Sequence, residues 1–393
     1  MRVAIVAHNF MYGDGQARIN LEIARWALAQ GMKVTLVSVV VDPELLRAGA
    51  IWERVHVRKR PVLLRVATFV GQANKIVDRL RRQDKIDHVI ANGYTLTRPH
   101  DLNLCQFVHA AWLNSTVHGI GTRGAINRLY QAVYTRYNAF HERRSYRAAR
   151  AVVAPSNHTL QELKHLGIED RKLHVIPNGV DCKEFSPAQI DRKSLGLPAD
   201  VPLALFVGDV RTNRKGMGSV LRAMVKLPRV HLAVVGMLNR SPFPAMAQEL
   251  GIADRIHFLD FRRDVARIMS ASDVFVFPSW YEPFGLVVTE ALSCGLPVVT
   301  TACCGAGELL TKDCGSVVQD PDDAAGLASA IAHWIENPEL RSQAAPACRA
   351  VALANGWDSM AKRYFEILRE TRPLSIGEKI FREKSKQAVY QTT

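Results

Sequence analysis

Short apolar runs of strand length alternate with stretches of helical periodicity along almost the whole chain. In the first half, Arg2–His8, Lys33–Val40, His88–Ala91, Leu104–His109, Ala151–Pro155 and Leu173–Ile176 predict strands. Ala17–Gln30, Val66–Arg82 and Ile126–Arg147 predict helices between them. The pattern then starts afresh. Leu203–Gly208, His231–Gly236, Ile256–Leu259 and Val274–Pro278 read as strands, Met217–Leu227 and Ala245–Leu250 as helices. Such alternation predicts an α/β fold of parallel sheets wrapped in helices. A Pro-rich polar link, Asn178 to Pro202, separates two such units and places the domain boundary near residue 180. The expectation is two Rossmann-like, doubly wound domains facing a cleft, with ligands at the carboxyl ends of the strands.

Bulk properties agree with this picture. A chain of 393 residues exceeds what one hydrophobic core supports, and 48% hydrophobic with 22% charged residues is a globular balance. The longest apolar runs are strand-sized, and MRVAIVAHNF turns polar too soon for an export signal, so a cytoplasmic protein is expected. Seven cysteines without a C-x-x-C pair indicate neither a zinc site nor a disulfide framework. Charge is unevenly shared: residues 1–175 carry 26 Lys and Arg against 13 Asp and Glu, which accounts for nearly all of the net +14. Basic clusters fall at Arg58, Lys59 and Arg60, at Arg79, Arg81 and Arg82, and at Arg143, Arg144, Arg147 and Arg150. Each alone reads as a solvated helix face. Together they predict a polyanionic partner, for which an anionic membrane surface is the favoured reading. No nucleic-acid recognition motif accompanies them.

Four segments carry candidate chemistry. In DVFVFPSWYEPFGLVVTEALSCGLPVVT a buried strand leads through Glu282 into a helix opened by Pro283, Phe284 and Gly285. The backbone N–H groups of Phe284, Gly285 and Leu286 form a helix start suited to a diphosphate. Glu290, one turn after Leu286, is placed to accept hydrogen bonds from ribose hydroxyls. Glu282 is placed to do the same for a sugar. In LALFVGDVRTNRKGMGSVL a strand ends at Gly208, and Arg211, Arg214 and Lys215 sit at the turn, where cations clamp phosphate oxygens. In HNFMYGDGQARIN, Gly13 and Gly15 begin a dinucleotide-like fingerprint, but Arg18 stands at its third glycine, which makes it a weak NAD signal and leaves a flexible loop that lets the first helix approach a phosphate. Finally, LCQFVHAAW ends a predicted strand at His109, aiming it at the cleft. Glutamates can merely cap helices, and a lone histidine is commonly structural. Their convergence on strand ends is what favours function.

Taken together, these segments resemble the retaining glycosyltransferases of the GT-B fold, family 4. The resemblance covers most of the chain. The family's E-x7-E motif matches Glu282 to Glu290, its linker phrase matches IPNGVD from Ile176 to Asp181, and VAPSNHT, GAGELL and CGSVV fit as well. It implies that Glu290 binds the donor ribose, Glu282 the donor sugar and Lys215 the diphosphate. It also implies that His109 lies beside the transferred sugar and acceptor, and that Gly15 belongs to a loop closing over the donor. A first domain over 1–180, a donor-binding domain over 181–356 and a final helix over about 357–385 crossing back to the first domain follow from the same resemblance.

Two departures stand out. Asp209 occupies the position after Gly208 where the family carries Arg, leaving Arg211 or Arg214 to supply that cation. Gly13-Asp14-Gly15 replaces a double glycine and brings Asp14 near an anionic donor. Because no convincing D-x-D metal motif is present, neither metal nor cofactor is expected. Cationic side chains and a helix dipole would stabilise the leaving diphosphate during front-face transfer with retention. The expected partners are a nucleotide-sugar donor of UDP or GDP type and a glycan or lipid-linked acceptor, with peripheral contact to the inner face of the cytoplasmic membrane. A GT-B epimerase or phosphorylase fits EPFG and IPNGVD less well. A catalytically impaired binding or regulatory protein is the alternative that Asp209 favours.

Overall fold

The computed structural model describes residues 1–57, 62–115, 117 and 125–371. Arg58, Lys59 and Arg60, and the part of the final helix expected beyond residue 371, lie outside the described residues.

Two open parallel sheets carry the fold. The first comprises β1 (Arg2–Val6), β2 (Lys33–Ser38), β3 (Ile51–Arg54), β4 (His88–Asn92), β5 (His100–Leu104), β6 (Ala149–Ala154) and β7 (Leu173–Val175), in the order β3-β2-β1-β4-β5-β6-β7. The second comprises β8 (Leu203–Val207), β9 (His231–Val235), β10 (Ile256–Phe258), β11 (Val274–Phe277), β12 (Val298–Thr301) and β13 (Gly315–Val318), in the order β10-β9-β8-β11-β12-β13. Each order reverses at its first strand, β1 or β8, which opens a crevice at the carboxyl edge beside that strand. Both faces of the first sheet are covered, as period-2 strands require. Val3, Ile5 and Leu36 pack under α1 (Gly15–Ala29), while Ala4, Val6 and Val37 pack under α2 (Val62–Arg82) through Phe69 and Val77.

The strand expected over Leu104–His109 lies earlier, at His100–Leu104, and His109 opens α3 (His109–Asn114) rather than ending a strand. The apolar pattern hid this strand because polar His100, Asp101 and Asn103 are buried beside Leu102 and Leu104 and bond to neighbouring elements. Asn103 donates to Ser145 Oγ at 2.8 Å and to the Gly93 carbonyl at 3.0 Å, and Asp101 accepts from the Val89 amide at 2.9 Å. Edge strand β3 had no sequence reading. Its four residues IWER are at best half-buried and show no apolar run.

The last described helix, Trp357–Glu370, lies against the first sheet. Met360, Tyr364, Phe365 and Leu368 are buried in that sheet's core, and Phe365 stacks on Trp26 of α1 with ring centroids 5.1 Å apart. The phrase IPNGVD gains a reason here. A Cβ on Gly179 would meet the Trp357 backbone and ring below 3 Å, and the Val180 amide donates to the Asn355 carbonyl at 3.1 Å. Glycine lets the link and the final helix cross in contact.

Candidate functional site

On the second sheet, the loops after β8 and β11 are built against each other. The turn Asn213–Lys215 ends at Gly216, which has φ +80°. A Cβ on Gly216 would overlap the Pro278 carbonyl, so only glycine serves. The Trp280 amide donates to the Arg214 carbonyl at 2.9 Å. This packing delivers the Lys215 ammonium into contact with the Glu282 carboxylate, with the Arg214 guanidinium 4.0 Å from the same oxygen. Burial and the like charge of Arg214 pull Lys215 well below the usual lysine range. Its charge therefore depends on an anion at hand, a role Glu282 fills and a diphosphate would fill better.

Two residues past Pro283, Gly285 turns at φ +99° and starts α4 (Leu286–Ser293). A Cβ there would stand 2.9 Å from Cys304 Sγ. No side chain caps α4, and among the described residues the amides of Gly285, Leu286 and Val287 have no acceptor. Orphan donors at a helix start are suited to an anion. The Phe284 side chain is buried in the second core, so any donor contact by Phe284 is through its backbone.

Glu290 and Leu286 share one face of α4 and line a cavity of about 210 Å³ with Gly15, Arg18, Glu184 and Trp357. Burial pushes the Glu290 carboxyl up to about 7, Glu184 adds to this, and Arg18 opposes it. The first domain reaches this cavity through its N-terminal loop. Asp14, which the sequence placed beside an anionic donor, is the cap of α1, its carboxylate accepting from the Gln16 amide at 2.9 Å and the Ala17 amide at 3.1 Å. Arg18 joins the halves by pairing with Glu22 at 2.6 Å and Asp181 at 3.1 Å.

The facing cavity, about 280 Å³, lies at the carboxyl edge of β1 and β4 and is lined by His8, Asn9, Asn20, Asn92, Tyr94, Thr95, His109 and Glu142 among others. His109 arrives there on the start of α3. Glu142, on α5 (Ala125–Ala148), receives both the His109 amide at 2.8 Å and His109 Nδ1 at 2.6 Å. His8 is a neutral wall residue: burial, with Arg65 adding, lowers it to about 4, and neither ring nitrogen has a partner among the described residues.

The structure thus brings Glu282, Lys215, Arg214, Gly285, Leu286 and Glu290 to one side of the cleft, and Gly15 and His109 to the other. Gly208 is spacing: a Cβ on it would meet Phe277 at 3.4 Å and Lys215 Cγ at 3.5 Å. Arg211 stands apart, held by Asp209 in an exposed pair with Nε–Oδ1 at 2.9 Å, so the substituted aspartate occupies one of the two candidate cations. Sequence reasoning missed Glu142 and His8. A signal for Glu142 existed: Thr135, Asn138, Glu142 and Ser145 recur at helical spacing, and all four are buried.

Comparison with known proteins places these features in a family context. The model for glycosyltransferase family 4 matches residues 13–184 and that for glycosyl transferases group 1 matches residues 187–351. A D-inositol 3-phosphate glycosyltransferase of Xylanimonas cellulosilytica is 33% identical over 237 residues, covering 56% of this chain and 57% of that protein. The lipopolysaccharide glucosyltransferase WaaG of Escherichia coli is 33% identical over 170 residues, covering 40% of this chain and 45% of that protein. The chain thus spans about half the length of the curated relatives it matches. Among solved structures, WaaG aligns with a TM-score of 0.74 at 23% identity over 93% of this chain and 99% of that one. Anabaena HepE in complex with UDP-glucose aligns at 0.69 and 20% identity, over 94% and 100%. At these identities the solved structures establish the GT-B fold.

Proposed function

This chain belongs to the family 4 glycosyltransferases of GT-B fold, and from that premise we propose that it transfers a sugar from a UDP- or GDP-type donor to a glycan or lipid-linked acceptor. The product would be a cell-envelope polysaccharide or glycolipid, formed with retention. One observation carries the reading: Lys215, paired to Glu282, sits beside the uncapped start of α4, whose next turn bears Glu290. A cation, a set of free amides and a carboxylate in that sequence match a diphosphate followed by a ribose. The diphosphate would take Lys215 and the α4 amides, Glu290 the ribose hydroxyls, and Glu282 a hydroxyl of the sugar. His109 would face that sugar from the first domain.

Charge developing on the leaving phosphate would be stabilised by Lys215, Arg214 and the helix start, groups already oriented before reaction. The same phosphate would draw the proton from the acceptor hydroxyl as it attacks from the face the phosphate leaves. The side chains supply the charge that a metal would otherwise bring, so turnover should be metal-independent. Release of nucleoside diphosphate from a panel of UDP-, GDP- and ADP-sugars, with and without membrane lipid extract, tests the reading beside Glu290→Ala. Turnover of one donor that the substitution abolishes supports it. A folded protein that releases nothing from any donor points instead to the binding-protein reading, which the capture of Arg211 by Asp209 favours.

The lipid-linked acceptor is the reading that best uses the basic first domain. Of its clusters, Arg79 is paired with Glu53 and Arg81 donates to the Pro99 carbonyl, so both are engaged internally. On α5, by contrast, Arg128, Arg136, Arg143, Arg144 and Arg147 are exposed, alongside Leu129, Val133 and Phe140 at 66%, 45% and 56% exposure. A helix face mixing arginines with exposed apolar side chains suits an anionic lipid surface. Among the described residues no helix is long and apolar enough to cross a membrane.

A further inference from the structure

We propose that Glu142 is a positioning residue that keeps a proton on Nδ1 of His109 and so fixes the ring that borders the first-domain cavity. The kinetic consequence rests on the transferase reading above, whereas the tautomer itself does not.

Each Glu142 oxygen is spent on one donor of the same residue: Oε2 on the His109 amide at 2.8 Å, Oε1 on Nδ1 at 2.6 Å. An ionised carboxylate only accepts, so Nδ1 must carry a proton. The glutamate side chain is 2% exposed, and a buried carboxylate is tolerated only when hydrogen-bonded in this way. A carboxylate on its own would also favour the imidazolium. Asn138, one helical turn before Glu142 and fully buried, works against that, because its amide nitrogen lies 3.3 Å from Nε2. A donor facing Nε2 favours a lone pair there, and a proton on Nε2 would set two donors against each other. With Asn138 donating, the lone pair on Nε2 is taken up within the protein.

The ring is held edgewise by Phe107 and Tyr94, with centroids 4.9 Å and 5.7 Å away. The aromatic pair thus sets the tilt of the imidazole, and Glu142 with Asn138 sets which nitrogen bears the proton. With Glu142 on Nδ1 and Asn138 on Nε2, both ring nitrogens are engaged by α5, and loss of either contact would free the ring to turn. His109 would then be a fixed wall against which the sugar is oriented, with no part as a proton donor.

The test is nitrogen NMR on full-length protein labelled with 15N-histidine, with His109 assigned by the signal lost in His109→Gln. Wild type should show Nδ1 protonated and Nε2 bare at neutral pH. Glu142→Gln, whose amide nitrogen cannot accept from Nδ1, should shift His109 toward the Nε2-protonated form. It should also lower kcat by roughly 10- to 100-fold with donor KM nearly unchanged. In a His109→Gln background the same change should lower kcat no further, which a purely structural role would not reproduce. Should Glu142→Gln fail to fold, Asn138→Asp supplies a second variant: a carboxylate beside Nε2 should leave both ring nitrogens protonated. A wild-type His109 protonated on Nε2, or a His109 spectrum unmoved by both variants, overturns the assignment. Expected spectra from a protein that turns over no donor would remove the transferase reading and leave the tautomer standing.

Discussion

A Cβ built on Gly15 would stand 3.2 Å from Cδ1 of Leu286, so the first residue of α1 touches the first residue of α4 across the cleft. Gly15 and Leu286 belong to different domains, and both line the cavity that holds Glu290. A donor bound at the start of α4 would lie under Gly15, and a side chain at that position would compete with it for space.

Gly15→Val is therefore expected to raise donor KM by roughly tenfold, about 1.4 kcal/mol, while kcat falls less. Gly15 is exposed at the start of its helix and its φ is not left-handed, so stability should change by no more than about 0.5 kcal/mol. Steady-state kinetics beside urea unfolding separate the two effects. An unchanged KM would mean that the donor does not pass beneath this loop.

Glu290 gives a prediction in pH. Its carboxyl is pushed up to about 7 in the folded chain, whereas an exposed glutamate titrates near about 4.3. Between those values the folded state holds a proton that the unfolded state has lost, so this residue's contribution to stability falls as pH rises through that window. Replacing Glu290 by neutral Gln should raise the melting temperature at pH 8 and leave it unchanged at pH 4. Donor affinity should move the other way. If the ribose hydroxyls bind the carboxylate, wild-type affinity weakens as pH drops below about 7, and the Gln variant binds weakly and without that dependence. Calorimetric binding of the nucleoside diphosphate over pH 5.5–8.5 checks both curves, and parallel profiles would count against the assigned role.

The half of the candidate site around α4 was legible as a cluster because its logic is local. Glu282, Gly285, Leu286 and Glu290 lie within one strand–loop–helix, and helical spacing alone puts Leu286 and Glu290 on one face. His109 was placed at the cleft for an incorrect structural reason. Buried His100, Asp101 and Asn103 broke the apolar pattern of β5, so the strand was placed too late and the short helix was unseen. Glu142 was hidden in a helix whose polarity reads as solvation, although its inward stripe is polar and buried. The contact of Gly15 with Leu286 is written nowhere locally. It exists only because two domains, each legible by itself, meet at a particular angle.

Lys215 and Glu282 answer to the same argument about charge. The ammonium is buried, so Lys215→Ala removes the cation closest to Glu282 and leaves Arg214 4.0 Å from the carboxylate. Turnover should fall by about 10²–10³-fold if Lys215 stabilises charge on the leaving phosphate. Glu282→Gln should also lower turnover, because the amide cannot reproduce a carboxylate's hold on a sugar hydroxyl. Neither wild type nor variant should respond to EDTA. An EDTA-sensitive wild type would overturn the claim that side chains alone carry the diphosphate charge, and a fully active Glu282→Gln would remove that residue from the site.

The exposed face of α5 separates electrostatic docking from simple basicity. Arg136 and Arg144 stand on it near Val133 and Phe140, with the Arg144 guanidinium 5.5 Å from the Phe140 ring. Basic side chains at an anionic bilayer contribute about 1 kcal/mol each, within a screening length of about 8 Å at physiological salt. Reversing both charges with Arg136→Glu and Arg144→Glu should then abolish co-sedimentation with phosphatidylglycerol-containing vesicles. Vesicles of phosphatidylcholine alone should not bind even wild type, and added salt should weaken wild-type binding progressively. Turnover of a soluble acceptor analogue should survive the double reversal, because neither arginine lines the cleft cavities. Binding that ignores both lipid charge and salt would show that the apolar side chains act without the arginines, and the surplus of positive charge in the first domain would need another partner.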